Sequence, residues 1–133
     1  MISFNLLVTN LTNGGADPTF AAGNDGDTPS CAIRDGVFYF GGHFNWVGDV
    51  CSQNPSGGAS HKCTSDNSTR RNHIAAVDAT TGDLLGWDPG ANSATGVWAF
   101  GVSPKYLAAG GDFTKIGGTG QEGFAQFADA HLP

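Results

Sequence analysis

Cations are scarce in this chain. Its 133 residues hold three lysines and three arginines against eleven aspartates and one glutamate, and the formal charge is −6. Nucleic-acid backbones are held by clustered Lys and Arg, so six scattered cations argue against a nucleic-acid partner. Glu, Lys and Met, three of the good helix formers, are nearly absent, which argues against an α-helical domain. No apolar run approaches the ~18 residues of a membrane span. Met1–Thr9 is apolar but lacks a basic start and a long hydrophobic region, which makes it a poor secretory signal. What the chain does have is glycine, 21 residues of it, with much Asp, Asn and Thr. Length and composition together predict one soluble, acidic, turn-rich all-β domain.

The three cysteines are Cys31, Cys51 and Cys63. Cys51 and Cys63 bracket the polar segment SQNPSGGASHK, and a disulfide closing that loop would contribute about 2–4 kcal/mol. The pair therefore predicts a disulfide and an exported or cell-surface protein whose signal lies outside this sequence. Two glycosylation sequons begin at Asn10 and Asn67, as chance allows in an Asn- and Thr-rich chain.

An internal repeat organises the rest. VFYFGGHFNWV (Val37–Val47) matches YLAAGGDFTKI (Tyr106–Ile116), with Gly41, Gly42 and Phe44 standing 69 residues before Gly110, Gly111 and Phe113. NHIAAVD (Asn72–Asp78) then lines up with GFAQFAD (Gly123–Asp129) at an offset of about 50. The shortfall is an insertion in the first copy, over residues 50–70, where Cys51 and Cys63 lie. ATTGDLLGWDPGA (Ala79–Ala91) has a weaker partner in Asn10–Gly23. The chain thus divides into the tail of one unit (1–24), a full unit (28–92) and most of a third (95–129).

Each unit reads as short strands, TPSCAI, VFYFGGHFNWV, HIAAVD and DLLGW in the full copy. Asp35-Gly36, Thr81-Gly82 and Ser103-Pro104 mark the turns. Phe38, Phe40, Phe44 and Trp46 share a parity, which predicts one strongly apolar face. The Gly pair predicts close backbone approach between sheets. Four strands in about fifty residues is the size of a β-propeller blade; an ordinary β-sandwich is the alternative. Cys31 aligns with Phe100 and Ile33 with Val102, in the apolar alternation Trp98–Phe100–Val102, so Cys31 is expected as a buried, unpaired thiol.

GGHFNWVG and GGDFTKIGG, followed by HIAAVDATTGDLLGWDP or GFAQFA, resemble the bacterial secreted β-propeller repeats of the delta-60 class, a Kelch-like architecture. The resemblance implies blades of four antiparallel strands. About two and a quarter units are present where closed propellers use 4–8 blades, so an incomplete propeller, a fragment of a longer one, or a homo-oligomer is expected.

Chemical motifs are sparse. Gly118–Gly123 satisfies Gly-x-Gly-x-x-Gly, but it falls in a hairpin with no helix to bind phosphate. With Glu122 the only glutamate, an acid/base pair would come from Asp17, Asp49, Asp88 or Asp112. His43 and Asp112 share a repeat position, which suggests a general base with an orienting carboxylate or metal ligand. Asn24, Asp25 and Asp27 offer hard oxygens for Ca²⁺. His43, His61, His73 and His131 have no zinc-like spacing. Trp46, beside Asn45, is the tryptophan expected to be accessible for stacking on a sugar, with Trp87 and Trp98 expected to pack between blades. These features predict an exported binding module for carbohydrate or a cell-surface protein. The alternatives are a Ca²⁺-dependent hydrolase of the propeller-lactonase kind and a purely structural repeat.

Overall fold

The computed structural model describes residues 24–48, 51–52, 62–63 and 68–133. Residues 1–23 of the predicted tail unit lie outside these residues, as do Asp17, Asp49, His61, Asn10 and Asn67. The described residues are all-β: β1 (Asp27–Arg34), β2 (Val37–His43), β3 (Trp46–Gly48), β4 (Cys51–Ser52), β5 (Lys62–Cys63), β6 (Ser68–Arg70), β7 (Ile74–Asp78), β8 (Val97–Val102), β9 (Tyr106–Gly111), β10 (Lys115–Ile116), β11 (Thr119–Gly120) and β12 (Phe124–Ala128), then one 3-10 turn at Asp129–His131. Among them no helix is long and apolar enough to cross a membrane.

Two three-stranded antiparallel sheets carry the structure, β1-β2-β7 and β8-β9-β12, each with its middle strand central in sequence order. Their registers coincide. In the first sheet Ser30, Gly41 and Ile74 form one cross-strand row and Ala32, Tyr39 and Ala76 the next. In the second the rows are Ala99, Gly110, Phe124 and Gly101, Ala108, Gln126. The offset is 69 for the first two strands and 50 for the third. Asn72 against Gly123 is therefore one residue out of step; the structural partner of Gly123 is His73. One residue matters, because a single-residue slip exchanges the two faces of a strand.

Local chemistry explains the elements. Asp35 and Gly36 both take positive φ, 50° and 76°, which closes β1 on β2 through a two-residue hairpin of the kind Asp-Gly favours. Gly117 and Gly118, with φ of 60° and 77°, do the same between β10 and β11. The Asp78 carboxylate accepts the backbone N–H groups of Thr80 and Thr81, at 2.8 and 2.9 Å. Those bonds hold its pKa below the ordinary carboxylate value.

The sheets pack face to face. Tyr39, Ala76 and Val37 on the front of the first meet Leu107, Phe100 and Phe127 on the back of the second. Ile74 joins Val97, Ala109 and Ala125 in the same layer. Trp87 sits edge-on to both Tyr39 and Phe127, with ring centroids 5.4 and 5.2 Å apart, so it packs between sheets as expected. Arg34 closes one end of this layer. Its guanidinium donates to the Ser103 and Pro104 carbonyls and to the Asp129 carboxylate. The back of the first sheet is lined by Phe40, Ala75 and Val77 and covered by Phe44 and Val47 from its own excursion.

Several expectations change. DLLGW forms no full strand: Leu84 makes an isolated bridge to Val77, and the Leu85 N–H bonds to the Ala76 carbonyl. The chain then leaves, because Leu85 and Trp87 are drawn into the layer between the sheets. The apolar face of β2 is not its only buried one, since Tyr39 and Phe40 are both fully buried on opposite faces. The strand also stops at His43, and Trp46 belongs to a separate pairing with Arg70. Cys31 is free and exposed. It does align with Phe100 in register, but Phe100 lies on the face that packs against the first sheet, whereas among the described residues no second sheet packs on the back of the first. The structure is not a closed propeller.

Candidate functional site

Polar and aromatic groups gather where β2 and β9 end. His73 holds a left-handed backbone, φ 66°, at the position of Gly123, φ 69° in the second unit. Both make the same backbone bonds. The His73 N–H donates to the Phe44 carbonyl, as that of Gly123 does to Phe113, and their carbonyls accept from Gly42 and Gly111. A non-glycine residue in this conformation is strained by roughly 1–2 kcal/mol. The imidazole is buried, with Nδ1 3.2 Å from the Gly42 carbonyl oxygen. A carbonyl only accepts, so Nδ1 carries the proton and Nε2 is the basic nitrogen. Burial lowers the His73 pKa and neighbouring His43 adds to this, against the opposing pull of the Gly42 carbonyl, Asp112 and Asp25.

His43 is exposed and stacks on His73, with ring centroids 6.2 Å apart and planes 13° from parallel. Asp112 is also exposed. Its Oδ2 accepts from the Thr95 hydroxyl at 2.7 Å and the Thr95 N–H at 3.2 Å. The Thr95 oxygen accepts in turn from the Trp98 indole N–H at 3.0 Å. His43 and Asp112 thus act on the charge of His73 in opposite senses, but the direct partner of Asp112 is Thr95.

Trp98 is 52% exposed, contrary to the expectation that it packs between blades. A β-bulge between Val97 and Ala99 is the reason. The extra residue falls out of the alternation that buries Val97, and bulges commonly re-aim a side chain in this way. Trp46, expected to be the accessible one, is half-buried with the Arg70 guanidinium 5.7 Å over its ring. Asn45 beside it contributes backbone: its N–H donates to Asp25 and its carbonyl accepts from Arg71.

The calcium candidates have structural tasks. Asn24 Oδ1 accepts the Gly26 N–H, and its amide donates to the Thr28 hydroxyl. Asp25 Oδ1 accepts the N–H groups of Asn45 and Trp46, at 2.8 and 2.9 Å. Asn92 does the same for Thr114 and Lys115 in the second unit, with an uncharged amide. Asp27 begins β1 opposite His43. Among the described residues no three His, Cys, Asp or Glu side chains form a group able to hold a metal ion. Asp88 lies 3.6 Å from Arg71. Cys51 and Cys63 are paired residue against residue in the β4–β5 register.

His73 and Thr95 were invisible to motif reasoning. The signal for His73 was the repeat itself: placed at an offset of 50 it falls on a glycine. Comparison of the chain with known family models, curated proteins and solved structures finds no match.

Proposed function

We propose that this chain is a β-propeller-type repeat module of an exported protein, and that it binds carbohydrate at the end of the sheets bearing Trp98, Asp112 and His43. The observation that carries the reading is the exposed Trp98 indole, held by Thr95, which in turn is held by Asp112. A flat aromatic face stacks on the apolar face of a sugar ring, and a fixed carboxylate beside it accepts sugar hydroxyls. Pre-ordering of the indole lowers the entropy lost on binding. The repeat register supports the blade assignment, since two units of one architecture stack front to back. The cysteine pair supports export: opposite residues of an antiparallel pair have Cα atoms about 4.5–5.5 Å apart, within the span of a disulfide. A binding module is favoured over a calcium-dependent hydrolase because the Asn24 and Asp25 oxygens already serve backbone amides.

The test is a titration of the intact chain with a panel of oligosaccharides, read by tryptophan fluorescence and calorimetry. A ligand should be found whose affinity falls at least about tenfold in Trp98→Ala, some 1.4 kcal/mol, with Asp112→Asn weakened less. If no saccharide binds, or if Trp98→Ala binds unchanged, the reading fails.

A further inference from the structure

A cavity of about 260 Å³ opens beside the β10–β11 hairpin, lined by Asn72, Pro89, Gly90, Asn92, Lys115 and Gly118 among others. Its walls are fastened to one another through the backbone. The Ala91 N–H donates to the Asn72 carbonyl at 3.0 Å, the Gly117 N–H to the Pro89 carbonyl at 2.8 Å and the Asn92 N–H to the Lys115 carbonyl at 3.0 Å. Gly90 and Gly118 hold positive φ, 55° and 77°, and a Cβ on Gly118 would meet nothing within 4 Å. The hollow is therefore formed before any ligand arrives, which lowers the cost of binding.

Its polar groups are donors without acceptors. Lys115 is exposed, and its ammonium makes no ion pair or hydrogen bond among the described residues, whereas Arg34 and Arg71 both lie against carboxylates. Asn72 Oδ1 accepts from Arg70 Nε at 3.1 Å. A guanidinium only donates, so the bonded atom is the oxygen and the Asn72 amide N–H groups are left over. That bond also brings Arg70, a second cation, to the same wall. Asp88 stands close, its Oδ1 4.0 Å from a Cβ built on Gly90, but it lies 3.6 Å from Arg71. The repeat supplies an independent observation. Asp25 caps the loop after β2 with a carboxylate, and Asn92 makes the same two backbone bonds after β9 with a neutral amide. The second unit thus keeps the cap and lacks its negative charge where the cap lines a cavity. In a chain of formal charge −6 this leaves a local site of positive potential.

We propose that this cavity binds one uronic-acid unit, its carboxylate held by the Lys115 ammonium and the Asn72 amide and its ring in the hollow beside Pro89. A single uncompensated lysine matches a singly charged carboxylate, and charge-assisted hydrogen bonds of this kind are the strong ones. The volume exceeds what a bare carboxylate needs and suits one sugar ring. This site is separate from the Trp98 end, where Asp112 would repel an anion, so the inference does not rest on that reading.

The test is a titration of the full chain with glucuronate, glucose and acetate, followed by backbone amide resonances and calorimetry. Glucuronate should shift Gly90 and Gly118 and bind more weakly as salt rises. Lys115→Gln should weaken it at least about tenfold, Lys115→Arg should retain it, and Trp98→Ala should leave it unchanged. A cooperative melt establishes folding; should Lys115→Gln fail to fold, Asn72→Asp sets a carboxylate in the wall and should weaken binding as much. The proposal is overturned if glucuronate leaves Gly90 and Gly118 unmoved, or if Lys115→Gln binds it like wild type. Glucose binding equally well at these residues would remove the carboxylate from the account, and acetate binding equally well would remove the sugar ring; either overturns it.

Discussion

Glycine at adjacent positions does two different jobs in this protein. At Gly41 the front face must stay flat for the neighbouring sheet, whereas at Gly42 a Cβ would fall on the Asp27 carbonyl and crowd the Pro29 ring within its own sheet. A backbone oxygen cannot swing away as a flexible side chain can. Gly42→Ala should therefore cost more than about 3 kcal/mol, at the upper end of overpacking penalties, or abolish folding. Gly110→Ala has open space and should change stability by less than about 1 kcal/mol; chemical denaturation of both variants is the check. Equal losses would show that the crowding at Gly42 is relieved by backbone movement. His73 supplies the residue-scale pH dependence. Its pKa is lowered in the folded state from 6.5, chiefly by burial, so the unfolded chain binds the proton more readily. Its contribution is complete above pH 6.5 and is lost as pH falls from there through the lower folded-state value. Melts at pH 7.5 and 5.5 should separate by less in His73→Gly, which keeps the backbone conformation, than in wild type. An unchanged gap would place the acid sensitivity elsewhere.

At the scale of elements, each sheet is tied by the segment that precedes it. Asn24 bridges Val47 as Ala91 bridges Ile116. Asp25 and Asn92 then cap the loops that follow β2 and β9. The third-strand excursion, β3 with β6 and β10 with β11, is thus fastened from outside its own sheet. Only in the first unit is it extended, by β4 and β5. There Cys51 and Cys63 face one another in register, and a disulfide is the expected bond. Intact mass of the oxidised protein should be two units below that of the reduced protein, with Cys51 and Cys63 in one cross-linked peptide and Cys31 free. A cross-link to Cys31 would contradict this. Reduction should lower stability by about 2–4 kcal/mol if the loop-closure account holds.

Over the whole molecule, the two sheets behave as one unit because a shared apolar layer and one buried cation join them. Arg34 is 8% exposed. Its bonds to Ser103, Pro104 and Asp129 link the first hairpin to the second unit and to the closing 3-10 turn. Arg34→Ala should lower the melting temperature, since it removes the bonds that tie the first hairpin to the second unit. Arg34→Lys should recover little, because an ammonium cannot reproduce the planar fork. A melt that splits into two transitions in either variant would mean the sheets fold separately, and that the joint layer is weaker than its burial suggests.

Local rules and repetition were enough to establish a great deal here. Scarce helix formers, Asp-Gly and Thr-Gly turns and alternating residues determine antiparallel strands, because those signals depend on neighbours two to four positions away. The repeat located equivalent strands across 69 residues without any knowledge of contacts. What it left open was anything decided between units. Cys31 and Phe100 are equivalent in register, yet one is exposed and the other packed, because among the described residues only the second sheet meets another sheet on that face. Trp98 is exposed because a bulge turns it out of an alternation that otherwise predicted burial. His73 stands in a glycine's conformation, visible only once the register removed a one-residue error. Asp25 reads as a cation ligand by composition, but in space its oxygen is spent on two amides. In each case the side chain's own chemistry is local, whereas its exposure and partners depend on which sheet lies across from it, and that is fixed by packing between segments far apart in the chain.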